Sequence, residues 1–310
     1  MLETSDMNLA QESTLAIRKG SKSFSLASRF FGEKEREACH LLYHWCRHCD
    51  DEIDGARSTA EARRALHHLF AEAEAVSRGE TPNGRAFRAF KRVSDEYRIP
   101  ALYARDLLKG FESDTEGARV RDEADLVLYC YRVAGVVGLL MCHIMGLGRL
   151  DARSNAVDMG IAMQMTNIAR DVLEDFQNSR VYLPETWLVE AGVRRDMLFA
   201  DSHALFSVVR RLLDLANTRY VSGRRGMNAL PFRAAVAVSI AASVYSGIGE
   251  KILRRGPKAL RHRTILNVFD KTMLTLRGLV RVAPLAMRRL IVPWRPLPLE
   301  DSWQFKIQRY

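Results

Sequence analysis

Residues 133–147 read VAGVVGLLMCHIMGL, and residues 234–249 read AAVAVSIAASVYSGIG. Neither stretch contains Lys, Arg, Asp or Glu. Each reads as a helix that is apolar nearly all the way round. Such a helix is central in a bundle or lines an apolar cavity. Gly135 and Gly138 mark places where a second backbone or a ligand can come close. The uncharged runs Val133–Gly148 and Ala234–Gly249 are 16 residues each. That is short of the roughly 18 that suggest a membrane-spanning helix.

Helical periodicity extends outward from these two segments. Helices are expected over about 8–30, 34–56, 59–78, 84–96, 100–112, 122–147, 152–178, 201–222, 230–254 and 264–290. Breakers fall between them, at Gly32, Pro100, Gly148, Pro184, Pro231 and Pro257, with Pro284 near the end. β-branched alternation with hairpin turns is almost absent, and no solenoid repeat is present. The expectation is a single all-α domain, a helical bundle over residues 1–290. A tail over 291–310 contains Pro293, Pro296 and Pro298.

The 310 residues are 47% apolar and 27% charged, which excludes a disordered or low-complexity scaffold. The net charge of +10 is unevenly placed: residues 201–310 hold 20 basic and 6 acidic residues. A basic C-terminal third fits an anionic partner. The five cysteines are an odd number, and the acidic start MLETSDMNLAQE lacks the apolar core of a secretory signal. A reducing, cytoplasmic setting is expected.

Chemistry enters with LYHWCRHCDDEID, residues 42–54. At ~100° per residue, Tyr43, Arg47, Asp50 and Asp54 fall within about 60° of one another. The second such segment is QMTNIARDVLED, residues 164–175. There Gln164, Asn167, Asp171 and Asp175 share about 80° of one face, flanked by Arg170 and Glu174. Like charges four residues apart repel on a helix. Buried together, they call for a cation. Oxygen donors alone favour Mg²⁺, Ca²⁺ or Mn²⁺ over Zn²⁺. Two acidic rims around a greasy cavity would suit metal-bound diphosphate at the mouth and hydrocarbon below, which describes an isoprenoid diphosphate.

Five segments, in this order, resemble the squalene/phytoene synthase family of head-to-head prenyl transferases, its bacterial phytoene synthases most of all. They are GSKSF (20–24), LYHWCRHCDDEID, YCYRVAGVVG (129–138), QMTNIARDVLED and SRVYLP (179–184). The resemblance implies an isoprenoid-synthase bundle around a central apolar cavity. It implies Mg²⁺, with Mn²⁺ as a substitute, held by Asp50, Asp54, Asn167, Asp171 and Asp175. Ser21, Arg47, Arg170 and, more loosely, Arg263 match diphosphate contacts. Tyr43, Tyr129 and Tyr245 match cavity tyrosines, Phe24 a cavity-wall aromatic, and Val133 and Gly138 substrate-facing positions. The activity implied is condensation of two geranylgeranyl diphosphates to phytoene, with no NADPH. Shorter-chain relatives use farnesyl diphosphate. Phe176-Gln177-Asn178 and Ser179 depart from the small residues and glycine common there.

Other patterns carry less. Cys46-Arg47-His48-Cys49 lacks the βαβ context of a redox site. His40, His44 and His48 form a stripe without an HExxH motif. The basic run from Arg254 to Arg263 lacks exposed aromatics, so no nucleic-acid partner is expected. A non-catalytic protein binding anionic lipid would have no use for two acid pairs. Peripheral membrane contact is expected of the tail, through Leu290, Ile291, Val292, Trp294 and Trp303 beside Arg288, Arg289 and Arg295.

Overall fold

A computed structural model describes residues 2–117, 119–291 and 293–297. Thirteen α-helices occur among them: α1 (Leu2–Gly20), α2 (Lys22–Ser28), α3 (Glu33–Asp54), α4 (Thr59–Ser77), α5 (Arg85–Tyr97), α6 (Ala101–Thr115), α7 (Glu123–Cys130), α8 (Val136–Met145), α9 (Ala152–Gln177), α10 (Glu185–Glu190), α11 (Ser202–Gly226), α12 (Phe232–Arg255) and α13 (Val268–Ile291). No strand occurs among the described residues.

Local chemistry sets the helix starts. Ser58, Asp122 and Asp201 cap α4, α7 and α11 by accepting backbone N–H bonds of 2.8–3.2 Å. Pro100, Pro184 and Pro231 stand just before α6, α10 and α12, where a missing N–H costs nothing. Two local features depart from the sequence reading. The helix expected over 8–30 breaks at Ser21, whose side chain accepts from Phe24 N and caps α2. The helix expected over 122–147 contains a π turn at Tyr131–Gly135. Helix α13 runs through Pro284 to Ile291, in line with the expected end near 290.

The core is one contiguous apolar cluster. Helix α9 runs through its middle, packed on α11, α8 and α12, while α3 packs on α1, α4 and α5. The segment Glu123–Met145 and the helix beginning at Phe232 are, taken whole, apolar and long enough to cross a membrane. This revises the expectation from uncharged run length. Yet 61% and 78% of their most apolar stretches are buried inside the protein, the place for the core helices of a bundle.

Small residues let α9 approach its neighbours. A Cβ on Gly160 would lie 2.2 Å from the Ala134 carbonyl oxygen, and one on Gly138 would lie 2.3 Å from that of Ala156. The close approach read from Gly138 is therefore to the backbone of α9. At the C-terminal end, Trp294 Nε1 donates to Ala229 O at 2.9 Å, and Leu297 N donates to Leu147 O at 2.8 Å. Arg289 donates to the carbonyls of Asn228 and Leu230. The described tail thus packs on its own domain, which moves Trp294 and Arg289 out of the expected membrane contact. Val292 and Trp303 lie outside the described residues.

Gly160→Ala should force α9 away from the π turn. The expected cost is about 1–3 kcal/mol, read as a Tm lowered by several degrees. An unchanged Tm in a thermal melt would mean the two backbones are not in close contact.

Candidate active site

A cavity of about 880 Å³ runs between α2, α3, α8, α9 and α12. Its deep walls are apolar, with Phe31, Leu42, Val137, Met141, Met163 and Leu230 among them. Methionine fills such walls adaptably, because its side chain is long and unbranched. At the other end, α3 contributes Tyr43, Arg47, Asp50 and Asp54, and α9 contributes Gln164, Asn167, Arg170, Asp171 and Asp175. The two acidic helix faces therefore meet on one hollow. Ser21, Phe24, Val133, Gly138, Tyr245 and Arg263 also line it.

Arginines fold onto most of these carboxylates. Arg47 reaches Asp50 at 3.0 Å and Asp51 at 2.6 Å. Arg170 and Arg263 both bind Asp171, at 2.5 and 3.0 Å. Arg180 binds Asp54 at 2.8 Å. The Asp175 carboxylate takes no such partner among the described residues. Burial, and then the neighbouring Asp171 carboxylate, push Asp175 up to about 7. Burial and the Asp54 carboxylate push Asp50 up to about 6 against the pull of Arg47. Asn167 donates from Nδ2 to Gln164 Oε1 at 3.2 Å, while its buried Oδ1 has no hydrogen-bond partner.

Orphaned oxygen and unrelieved negative charge are what a divalent cation would satisfy, so the donor set fits one. Among the described residues no three acidic or imidazole groups converge on one point. An ion here would be held by one or two carboxylates and complete its shell from water or diphosphate, as Mg²⁺ does.

The aromatic side of the mouth differs from the sequence reading at one position. Tyr43 stacks on Phe24 with ring centroids 5.8 Å apart, and burial pushes its hydroxyl up to about 12. Tyr129 is not among the lining residues. It stacks on Tyr182 at 4.7 Å, and both hydroxyls donate to Asp114, at 3.1 and 2.7 Å. Tyr129 stands before the π turn, and within that turn Val133, as expected, and Ala134 line the cavity. Burial pushes Asp114 up to about 6, although Tyr182, Arg180 and Tyr129 all pull it down.

Asp114, Arg180 and Tyr182 were not read as site residues from the sequence. Arg180 binds Asp54 and also acts on Asp114 and Asp175, so it is a shared cation between the two rims. Its signal was the SRVYLP segment. Asp114 had none, standing in an ordinary polar helix end.

The side patterns resolve as structure. His40 is held by Thr14 and Ser28, each at 3.1 Å, and His44 by Ser13 at 3.1 Å. The cysteines are all free, and burial pushes the Cys46 thiol up to about 12, away from the lowered range of a reactive thiolate.

A pH-dependent cost follows for Asp175. Its carboxyl is raised from 3.8 to about 7 on folding. Below about pH 4 both states are protonated and nothing is lost; above about pH 7 the folded state carries the full penalty. Asp175→Asn should therefore raise the Tm of the metal-free protein at pH 8, with the gain fading on acidification to pH 4. Mg²⁺ should raise the Tm of the wild type more than that of the variant. A pH-independent gain would contradict the burial account.

The sequence model of the squalene/phytoene synthase family matches residues 17–269. The chain is 39% identical to the 15-cis-phytoene synthase of Enterobacter agglomerans, covering 82% of this chain and 90% of that protein. It is 38% identical to the 15-cis-phytoene synthase of Pantoea ananas, covering 85% and 88%. A dehydrosqualene synthase crystallised with ligand superimposes with a TM-score of 0.77 at 27% identity, over 90% of this chain and 98% of that one. A squalene synthase from Alicyclobacillus acidocaldarius has a TM-score of 0.73 at 23% identity, over 80% and 94%, and shares the fold. Fold, rims and relatives agree: the chain belongs to the squalene/phytoene synthase family.

Proposed function

We propose that this chain is a Mg²⁺-dependent prenyl transferase that joins two geranylgeranyl diphosphates head to head and forms phytoene. The observation that carries the reading is one cavity with acid at its mouth and hydrocarbon at its depth. The relatives at 38–39% identity, which are phytoene synthases, support the product. The five free cysteines are in keeping with a reducing, cytoplasmic setting.

Asp50, Asp54, Asn167, Asp171 and Asp175 would hold Mg²⁺, with Mn²⁺ as a substitute; bound there, the ions neutralise the leaving diphosphate. Arg47, Arg170 and Arg263 supply guanidinium forks for diphosphate oxygens. Ser21, at the start of α2, offers a hydroxyl on the same side. When diphosphate enters, these arginines exchange carboxylate partners for phosphate ones. The donor loses diphosphate, and its allylic cation is attacked by the 2,3 double bond of the acceptor. Proton loss closes a cyclopropylcarbinyl diphosphate.

In the second half, that diphosphate leaves, the skeleton rearranges, and a proton is lost to form the central double bond. No hydride donor enters this balance. Apolar walls keep water from the cations, and the rings of Tyr43 and Tyr245, which line the same cavity, are available to stabilise positive charge. Asp114, which accepts from Tyr129 and Tyr182, adds negative charge near Arg180, whose ion pair is with Asp54.

Product analysis by mass spectrometry tests the reading. Geranylgeranyl diphosphate with Mg²⁺ should give phytoene whether or not NADPH is present. Farnesyl diphosphate as the better substrate would shift the assignment to the shorter-chain relatives. Asp50→Asn and Asp171→Asn should each lower turnover by at least about 100-fold with the fold retained. Near-normal turnover in both would remove the acids from the chemistry.

A further inference from the structure

Helix α13 is apolar on two opposite faces. Its inner face, with Leu274, Gly278, Val282 and Leu285, packs towards α12 and the core. A Cβ on Gly278 would lie 2.8 Å from the Ile240 backbone, so that face is fully engaged. On the other side stand Phe269, Met273, Leu276, Val280, Met287 and Ile291, each 48–82% exposed. At ~100° per residue these six fall within about 60° of one another, roughly opposite the buried face. Scattered exposed apolar residues are ordinary; a continuous stripe along a whole helix is an interaction surface.

A cluster of arginines lies beside the stripe. Arg281 donates to Ser243 and Arg224 to Ser246, and neither makes an ion pair among the described residues. Arg277 pairs with Glu250 at 2.7 Å. Only Arg277 of the three thus has a carboxylate partner, and Arg224 Nε is buried without a hydrogen-bond partner. Burial holds both Arg281 and Arg224 below the usual guanidinium range; Arg224 and Arg277 push Arg281 down further, and Arg277 does the same to Arg224 against the pull of Tyr220. A second cavity of about 400 Å³ opens on the other flank of α13 from these arginines, with Phe30, Phe232, Val236 and Leu279 beside Arg29 and Arg233. It offers acyl-chain room next to cationic groups.

We propose that the outward face of α13, with Arg224, Arg277 and Arg281 beside it, docks on an anionic phospholipid bilayer. Charge decides between occupants. A second copy of this chain paired about this face would bring like-charged clusters together, whereas lipid phosphates complement them. An amphipathic helix flanked by Arg is the form that lies in a membrane interface. The contact moves from the tail to α13, because Trp294 and Arg289 are turned inward. The inference stands apart from the proposed reaction.

Flotation of the full chain with vesicles tests it. The protein should float with mixed phosphatidylcholine and phosphatidylglycerol vesicles, and hardly at all with phosphatidylcholine alone. Leu276→Asp with Val280→Asp should weaken binding more than about tenfold. Arg281→Gln should weaken it roughly fivefold and flatten its salt dependence. Both changes are at exposed positions, so circular dichroism and Tm should stay at wild-type values. Equal flotation with both vesicle types, or full binding by the Asp double variant, would overturn the proposal. So would a dimer in sedimentation velocity that the double variant abolishes while the wild type ignores vesicles.

Discussion

Carboxylates held close together in a partly dry space are the constraint around which this molecule is organised. Two unit charges about 6 Å apart repel by roughly 3 kcal/mol at an effective dielectric of ~20. The protein holds such pairs on α3 and on α9, facing one cavity. Arginine relieves part of the repulsion at Asp50, Asp54 and Asp171, and none of it is relieved by direct contact at Asp175. A fold that keeps this arrangement stores an affinity for cations. The glycine contacts around α9 are what keep its acidic face at a fixed distance from the walls.

The cavity then combines two solvents. At the mouth, carboxylates and guanidinium groups are matched in number closely enough that neither sign dominates, and they can trade partners. In the depth, branched and sulfur-containing side chains give a surface with no hydrogen-bonding demand. A molecule with an anionic head and a long hydrocarbon is complementary to both ends, and one lacking either is not. Burial of a long chain at about 25 cal/mol per Å² supplies binding energy far from the reacting carbons, where it can be spent on orientation. Membrane docking by α13 would set the same molecule beside the phase in which such hydrocarbons dissolve.

The sequence made the acidic faces legible because helix phase is arithmetic: Tyr43, Arg47, Asp50 and Asp54 had to share a side whatever else the chain did. Tyr129 was placed in the cavity by resemblance alone, and the π turn that follows it leaves no mark on hydrophobic periodicity. Ser21 matched a diphosphate contact inside a helix expected over 8–30, and its role as a cap emerged only with the break between α1 and α2. Asp114 was illegible for a different reason. Its environment is built by Tyr129 and Tyr182, which are 15 and 68 residues away in sequence. Pro284 leaves the expected end near residue 290 in place, because the inner face of α13 continues to pack past it.

Anomalous diffraction from crystals soaked in Mn²⁺ and an unreactive thiodiphosphate analogue of the substrate addresses the central claim most directly. The account predicts manganese density between Asp50 or Asp54 on α3 and Asn167, Asp171 or Asp175 on α9, with diphosphate oxygens completing the coordination and Arg47 and Arg170 turned towards them. Analogue bound in the cavity with no metal at either rim, and the arginine–carboxylate pairs unchanged, would contradict it.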